Sequence, residues 1–142
     1  MEGRREHMSK GSKNHQKPER STSGPLEGVR ILDLGHYLAA PFAATLLADF
    51  GAEVVKVEVP GIGDHMRRSN PIYEGKSLMF AASARNKKGI TVDMRKAEGQ
   101  AIIKDLVKVC DAVVENFRPG TLERWNLGYE KLKDVNPGIV LL

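Results

Sequence analysis

Short apolar runs alternate with helical stretches along most of this chain. Residues 29–34 form an apolar run of strand length, and residues 53–59 alternate charged residues with valine, as strands do. Residues 42–50 between them are rich in alanine and leucine, with Pro41 before them and Gly51 after them, which predicts a helix. This order of strand, helix and strand predicts a βαβ unit with two parallel strands.

The alternation resumes after a stretch punctuated by glycine and proline, which predicts a loop over residues 60–88. The later predicted elements are a strand at 89–94, a helix at 97–109, a strand at 111–115, short helices at 119–124 and 129–134, and a strand at 138–142. Elements of these lengths in this order predict an α/β fold with a Rossmann-like, mainly parallel sheet and flanking helices.

The chain stops inside its last apolar run, residues 139–142. Ligands of doubly wound sheets bind outside the carboxyl ends of the strands, so the loop after this run would belong to such a site. We therefore expect residues 25–142 to be the N-terminal part of a larger domain.

The beginning of the chain differs in composition from the rest. Residues 1–24 contain no Leu, Ile, Val, Phe, Tyr or Trp, and they carry six basic and three acidic side chains. This predicts a disordered basic tail, because little apolar surface is available to offset the entropy of ordering it. The whole chain has 22 Lys and Arg against 18 Asp and Glu, a formal net charge of +4, so the tail supplies most of the excess. A nucleic-acid-binding surface on the body of the protein is therefore not expected.

Cysteine content and hydropathy narrow the class of protein further. Cys110 is the one cysteine of the chain and cannot form an intrachain disulfide, which is typical of a reducing compartment. We expect Cys110 to be a buried structural thiol in a cytoplasmic protein. No apolar run approaches the roughly 18 residues of a membrane span, and the polar N-terminus lacks the apolar segment of a secretory signal. Contact with a membrane is therefore not expected.

Motifs that hold nucleotides or metals at a recognisable spacing are absent from the sequence. The turn after the first predicted strand lacks the G-x-G-x-x-G pattern of dinucleotide-binding folds, and no P-loop pattern occurs. The four histidines show no metal-ligand spacing. We expect neither a metal nor a prosthetic group.

Two turns after predicted strands carry residues suited to ligand binding. His36 follows the first strand, and the small Ala39 and Ala40 beside it let a ligand approach the backbone; a structural or solvated histidine is the alternative. Asn116 and Phe117 follow the strand at 111–115, where an amide, a ring and the next arginine could bond to and stack on a nucleobase. Turn formation by asparagine, proline and glycine would explain half of that second motif.

A cluster of basic residues forms a third candidate. It consists of residues 64–68 together with Arg85, Lys87 and Lys88. Guanidinium and ammonium groups at such a density could hold phosphates, since guanidinium groups pair bidentately with phosphate oxygens. A charged loop in water is the alternative interpretation.

Four segments together resemble the class III CoA-transferases, the family of formyl-CoA transferase and carnitine CoA-transferase. They are PLEGVRILDL at 25–34, LLADFGAEVVKVE at 46–58 followed by Pro60 and Gly63-Asp64, NKKGITVDM at 86–94, and VENFRPG at 114–120. Their order and spacing match the family's, and the resemblance covers residues 25–142. It implies a large Rossmann-like domain in which two chains interlock as a homodimer.

The resemblance also implies where coenzyme A lies, which is against the strand ends of this region. The positions that match the family's CoA contacts are His36, Ala39, Val92, Arg95, Asn116, Phe117 and Arg124. Arg95 stands where lysine is common and retains the positive charge. Leu38 replaces a glutamine that contacts the acyl end in formyl-CoA transferase, and Val59 replaces an arginine that often helps to hold the adenine. The first departure argues against formyl and oxalyl specificity, and the second removes one cationic contact.

The family's nucleophile is an aspartate further along the chain, and no residue here matches it. In the family this carboxylate attacks the acyl-CoA and splits one difficult acyl transfer into easier steps. We expect structural roles for Asp33, Asp49, Asp93 and Asp111, and we expect Asp64 to organise its loop.

The resemblance therefore implies a CoA-transferase, which moves CoA from an acyl-CoA to a small carboxylic acid, with this chain alone inactive. An α-methylacyl-CoA racemase, in which a histidine and an aspartate move a proton, is the first alternative. Racemases tend to have Arg-Gly-Lys where this chain has Arg85-Asn86-Lys87, which favours the transferase. A non-catalytic CoA-binding module is the second alternative.

Overall fold

Five strands form one sheet in which every neighbouring pair is parallel, in the computed structural model, which describes residues 24–142. The strands in chain order are β1 (Arg30–Asp33), β2 (Glu53–Glu58), β3 (Ile72–Tyr73), β4 (Lys76–Ser77), β5 (Lys87–Thr91), β6 (Ala112–Val114) and β7 (Val140–Leu141). In the sheet they lie in the order β5-β2-β1-β6-β7, while β3 and β4 pair as a separate antiparallel hairpin. The predicted α/β fold with a mainly parallel sheet is confirmed.

Helices cover both faces of this sheet. In chain order they are α1 (Ala39–Asp49), α2 (Leu78–Ser83), α3 (Ala97–Val107), α4 (Thr121–Arg124) and α5 (Tyr129–Lys133), with a 3₁₀ helix at His65–Arg68. The first predicted helix begins three residues earlier than the periodicity indicated, with Pro41 inside its first turn, where the missing N–H is not needed. Gly51 ends it at a φ of 102°, a conformation that favours glycine.

Small side chains bring α1 close to one face of the sheet. Ala40, Ala44 and Ala48 of α1 are buried against Ile31 of β1 and Val54 of β2. Alanine at these positions lets the helix backbone approach the strands closely. Little space therefore remains between the helix and the sheet for larger side chains.

Larger side chains fill the opposite face. Leu32, Val57 and Val113 from three neighbouring strands pack against Ile103 and Val107 of α3, and all five are fully buried. Adjacent residues of a strand point to opposite faces, so consecutive apolar residues of β1 serve the two cores in turn. This explains why β1 has a continuous apolar run rather than an alternating one.

The segment between β2 and β5 contains more regular structure than the sequence predicted. It folds into the 3₁₀ helix, the β3–β4 hairpin and α2, where a loop was expected over residues 60–88. The hydroxyl of Ser77 accepts the N–H of Phe80 and begins α2. The strand expected at 89–94 begins at Lys87 and ends at Thr91.

The predicted tail, residues 1–24, lies outside the described residues except for Gly24. The carbonyl oxygen of Gly24 accepts the N–H of Glu27 in the turn before β1. Within residues 24–142, no helix has the length and apolar character needed to cross a membrane.

Candidate functional site

The carboxyl ends of β1 and β6 meet where the strand order reverses direction. The chain continues from β1 towards β2 and β5 on one side, and β6 and β7 lie on the other. A crevice at such a switch point is where open α/β sheets bind ligands. The two predicted turns both lie here, since His36 follows β1, and Asn116 and Phe117 follow β6.

The side chain of Asn116 joins these two turns. Its Oδ1 accepts the backbone N–H of His36 at 2.8 Å, and its Nδ2 donates to the carbonyl oxygen of His36 at 2.8 Å. Both ends of the Asn116 amide thus bond to the backbone of one residue, His36. These contacts fix the position of His36 although the two residues are 80 positions apart in the sequence. Asn116 therefore orients His36.

Two buried carboxylates hold the residues on either side of His36. Asp33 Oδ1 accepts the N–H of Gly35 at 3.0 Å, and Asp64 Oδ1 accepts the N–H of Tyr37 at 3.1 Å. Tyr37 has a φ of 68°, a left-handed conformation that strains any residue with a side chain. Hydrogen bonds from outside the turn therefore maintain its shape.

The imidazole of His36 lies among aromatic rings. Its centroid is 5.2 Å from the ring of Phe117 and 6.4 Å from that of His65, and Phe117 packs in turn on Trp125 at 5.1 Å. Burial lowers the pKa of His36 and outweighs the nearby charge of Asp64, so the ring is neutral at pH 7. Among residues 24–142, no group hydrogen-bonds the buried Nδ1 of this ring.

A cleft of about 290 Å³ opens beside these rings at the carboxyl edge of the sheet. Its lining residues are His36, Val59, Ile62, Gly63, His65, Asp93, Met94, Arg95 and Trp125. They come from the segments after β1, β2 and β5 and from the end of α4. The cleft therefore combines an apolar wall, two imidazoles, one guanidinium and the carboxylate of Asp93.

Arg95 supplies the cationic side of the cleft and is fixed by a neighbour. Its Nε and Nη2 donate to the two carboxylate oxygens of Asp93 at 2.8 and 2.9 Å. The hydrogen bonds from Arg95 lower the pKa of Asp93, so the pair stays ionised. The guanidinium side chain is 61% exposed, which leaves its remaining N–H groups accessible from the cleft.

The other residues implied by the resemblance occupy different places around this site. Val92 is buried in the core beneath the segment that carries Arg95. Ala39 is exposed at the start of α1. Arg124 lies at the end of α4, where its guanidinium donates to the hydroxyl of Thr121 at 2.9 Å, and the next residue, Trp125, reaches the cleft. His36 and Arg95 thus line the cleft directly, whereas Asn116 and Phe117 support His36 from behind.

Four cations of the basic cluster each pair with a different carboxylate. Arg67, Arg85 and Lys88 pair with Glu58, Asp49 and Glu53 respectively, which places their charges against different carboxylates. Lys87 is buried and pairs with Asp33. The side chains of Arg67, Arg85 and Lys88 remain partly exposed, which agrees with the alternative of charged groups on a solvated surface, and a shared phosphate site for these residues stays a prediction.

Arg67 and Glu58 form a pair beside the cleft whose stability depends on pH. Arg67 Nε donates to Glu58 Oε2 at 2.6 Å, and this bond holds the pKa of Glu58 below its ordinary 4.5. A carboxyl with a lowered pKa in the folded state stabilises the fold above its unfolded pKa, and the contribution is lost as pH falls through the folded pKa.

We expect Arg67→Gln to lower the free energy of unfolding at pH 7. Below about pH 4, the difference in free energy of unfolding between this variant and the wild type should become smaller. Part of the difference persists, because the Arg67 guanidinium also stacks on Phe80 at 3.9 Å. Denaturant unfolding at pH 7 and at acidic pH measures both values. Arg68→Gln in the same 3₁₀ helix is the control, and a difference that widens on acidification would contradict the assigned sign.

The predicted structural roles of the aspartates agree with their contacts. Asp49 binds Arg85 and Asn86, Asp111 accepts the N–H of Arg30, and Asp93 pairs with Arg95. The carboxylate of Asp64 accepts two backbone N–H groups and begins the 3₁₀ helix, so it organises its loop as expected. A carboxylate occupied in this way is poorly placed to act as a nucleophile.

The thiol of Cys110 lies in an environment that disfavours its reactive form. Cys110 is buried, and burial raises the pKa of its thiol, so the reactive thiolate is disfavoured. Within the described part of the chain, no three His, Cys, Asp or Glu side chains are arranged to hold a metal ion.

Sequence reasoning missed several of the cleft's walls. Trp125 is the one tryptophan of the chain and directly follows the predicted contact Arg124. The sequence indicates His65 only as part of the basic cluster and Ile62 only as part of a predicted loop. A signal existed for Trp125, since aromatic residues next to predicted ligand contacts often form the walls of such sites.

The described part of the chain matches a known family. The family model described as CoA-transferase family III matches residues 26–142, and the chain belongs to that family.

Two curated relatives and one crystal structure show the extent of the similarity. Succinyl-CoA--D-citramalate CoA-transferase of Chloroflexus aurantiacus is 55% identical over 128 residues, which cover 89% of this chain and 31% of the relative. Succinyl-CoA:glutarate CoA-transferase of Homo sapiens is 49% identical over 117 residues, covering 82% of this chain and 27% of the relative. A CAIB/BAIF family protein from Brucella suis superposes with a TM-score of 0.77 at 39% identity, covering 83% of this chain and 32% of that one. The chain thus spans about a third of the length of the relatives it matches.

Proposed function

We propose that residues 25–142 form the CoA-binding part of a CoA-transferase that moves CoA from an acyl-CoA to a carboxylic acid. One observation carries the proposal. The turns after β1, β5 and β6 place His36, Arg95 and the supporting Asn116 and Phe117 around a single cleft at the carboxyl edge of the sheet. These are positions at which the family resemblance implies CoA contacts.

The chemistry of the cleft suits the parts of a CoA molecule. Trp125 and the imidazoles of His36 and His65 offer apolar and stacking surfaces, and Arg95 offers donors for a phosphate. The buried Nδ1 of His36 supports a ligand with a polar atom at this point, because buried polar groups are nearly always hydrogen-bonded.

The family resemblance assigns the covalent step to an aspartate, and no residue of this chain matches that aspartate. The contacts described above engage Asp33, Asp49, Asp93 and Asp111 with cations or backbone N–H groups. We therefore propose that the chain alone binds CoA without transferring it. Exchange of CoA from succinyl-CoA onto a labelled carboxylic acid by this chain alone would contradict this proposal and show that the chain contains a catalytic group.

Asn86 distinguishes a transferase from a racemase less sharply than the sequence alone indicated. Asn86 has a φ of 59°, the left-handed region in which glycine and asparagine are both accommodated. Arg-Gly-Lys and Arg85-Asn86-Lys87 are therefore compatible with the same backbone. The names of the two relatives above, both CoA-transferases, support the transferase.

The substrates, the oligomeric state and the location of the protein are further parts of the proposal. We propose an acyl-CoA and a small carboxylic acid as the substrates and no prosthetic group. Succinyl-CoA is the first donor to test, since both relatives are named for it. We propose further that the protein acts as a homodimer, as the family resemblance implies, and sedimentation of the purified protein tests the dimer. We also propose a cytoplasmic location, which the single cysteine of the chain supports.

Binding of CoA to the 142-residue chain tests the site. We expect Arg95→Ala to weaken CoA binding in titration calorimetry by about tenfold or more, because a hydrogen bond to a charged group contributes about 1.5–3 kcal/mol. Arg30→Ala is the matched control, since Arg30 begins β1 at the opposite edge of the sheet and pairs with Glu53 in a similarly exposed bridge.

Equal losses of affinity in the two variants would indicate a general effect of charge rather than a contact at the cleft. Failure of the folded wild-type chain to bind CoA at all would contradict the proposed function.

A further inference from the structure

Five backbone groups of the turn that carries His36 are held by side chains from other segments or from the preceding strand. The N–H groups of residues 35, 36 and 37 donate to Asp33, Asn116 and Asp64. The carbonyl oxygens of residues 35 and 36 accept from Lys56 and from Asn116. Because hardly any backbone group of the turn is left to solvent, its conformation is set by these four side chains.

Lys56 lies at the centre of this arrangement, beneath the turn. Its Nζ is 2.8 Å from Asp64 Oδ2, 2.9 Å from the carbonyl oxygen of Gly35 and 3.7 Å from Asp33 Oδ2. The lysine side chain is 3% exposed, and the two carboxylates are 0% and 1% exposed. A buried ammonium group surrounded by three oxygen atoms is strongly fixed in place, since it has no water to replace a lost partner.

Lys87 completes the charge balance without touching the turn. It pairs with Asp33 Oδ2 at 2.8 Å and donates to the carbonyl oxygen of Pro41 in the first turn of α1. Two buried ammonium groups thus face the two buried carboxylates of Asp33 and Asp64. Of the two ammonium groups, Lys56 alone donates directly to the backbone of residues 35–37, where the carboxylates of Asp33 and Asp64 accept the N–H groups of Gly35 and Tyr37.

Asp64 extends the influence of Lys56 to the second imidazole of the cleft. The carboxylate bound by Lys56 also accepts the N–H of Met66 at 2.8 Å, which begins the 3₁₀ helix that carries His65. Burial acts to raise the pKa of Asp64, but the bonds from Lys56 and the backbone outweigh it and leave the pKa lowered. The ionised carboxylate therefore holds Tyr37 on one side and the segment of His65 on the other.

We propose that Lys56 is a positioning residue of the CoA site. Its ammonium group holds the carbonyl oxygen of Gly35 and the carboxylate of Asp64, and thereby keeps Tyr37 in its left-handed conformation and His36 directed into the cleft. Lys56 touches no atom of the cleft itself, so it acts through His36. This role rests on the proposed function of the cleft.

The variant Lys56→Met tests the proposal, because methionine preserves much of the length of the side chain and removes its charge. We expect CoA affinity of the 142-residue chain to fall by about tenfold, as it does when residues that orient metal-binding histidines are removed from other sites. Lys87→Met is the matched control, since it removes an equally buried ammonium group that contacts no backbone group of the turn. We expect the CoA affinity of Lys87→Met to stay within about twofold of the wild type. That change is well below a tenfold loss, which corresponds to about 1.4 kcal/mol.

A measurement on His36 separates positioning from a general loss of stability. The charges that face its ring are Asp64, Lys56, His65 and Asp33. Removing Lys56 takes away a cation that lowers the pKa of His36, so NMR titration should show that pKa rising in Lys56→Met. A smaller rise is expected in Lys87→Met. If Lys56→Met gives no cooperative melting transition, Asp64→Asn takes its place in both measurements, since it removes the charge that faces Lys56 at nearly constant volume. CoA affinity should fall in this variant too, whereas the pKa of His36 should fall rather than rise, because the charge of Asp64 raises it.

The outcomes distinguish the two proposals. If the wild-type chain binds CoA and Lys56→Met binds it equally well, the positioning role is overturned while the proposed function stands. If the folded wild-type chain does not bind CoA, the proposed function fails. The positioning role is then decided by NMR alone: unchanged His36 titration and unchanged Tyr37 amide shifts in Lys56→Met would overturn it.

Discussion

Replacing Asp33 by alanine is expected to lower the free energy of unfolding by about 3–5 kcal/mol, the effect of breaking a buried ion pair by removing one partner. Asp33 is fully buried, and its carboxylate lies 2.8 Å from Lys87 and 3.7 Å from Lys56. The variant would leave two ammonium groups buried with only Asp64 to balance them. Burial already lowers the pKa of Lys87 against the opposing effect of Asp33, so removal of Asp33 would lower it further.

Denaturant unfolding at pH 7 of Asp33→Ala and of Asp105→Ala measures this effect against a surface pair. Asp105 of α3 pairs with Lys108, the residue that follows this helix, and both side chains are more than half exposed. Loss of Asp105 should change stability by at most about 0.5 kcal/mol. A loss below about 1 kcal/mol for Asp33→Ala would mean that water reaches the two lysines.

The strands and larger helices of the fold could be predicted because each carries a local signal. The continuous apolar run of β1 and the alanine-rich stretch of α1 need no knowledge of the rest of the chain. The segment before β5 could not be predicted in the same way. Its glycines and prolines indicated a loop, and they do form turns, but short elements such as α2 fit between those turns.

The charged network beneath α1 could not be predicted, because its members are brought together only by the sheet. In sequence, Lys56 and Glu58 look like the exposed face of an alternating strand, yet both are buried in β2. Their partners lie on β1 and on the loop after β2, and the parallel register that places Asp33 beside Lys56 is a property of the folded sheet. Pairing with these partners makes burial of the charges possible.

The candidate site was predictable to the extent that it lies at strand ends. The rule for open α/β sheets places ligands there, and the family resemblance selected His36 and Asn116 among the residues that follow β1 and β6. The resemblance could not show that both ends of the Asn116 side-chain amide bond to the backbone of His36. Contacts between two turns separated by 80 residues require the topology, which no local pattern contains.

Gly99 determines how closely α3 approaches the cleft, and Gly99→Ala is expected to destabilise the fold. A Cβ at this position would overlap the carbonyl group of Asp93 and lie 3.1 Å from Val92 Cγ1. Helix propensity alone would favour alanine by up to about 1 kcal/mol. Overpacking against a fixed backbone costs about 1–3 kcal/mol or more, and the overlap with a carbonyl group places this case at the upper end.

We therefore expect a net loss of about 2–3 kcal/mol for Gly99→Ala in denaturant unfolding, with the sign opposite to that given by helix propensity. Gly89→Ala is the matched control, because a Cβ on Gly89 meets no atom within 4 Å, and its effect should stay within about 1 kcal/mol. The carbonyl that must move belongs to Asp93, whose carboxylate fixes Arg95, so CoA affinity should fall together with stability if the proposed site is correct. Stabilisation by Gly99→Ala would show instead that α3 shifts freely along the sheet, and that the segment carrying Arg95 is not held by this helix.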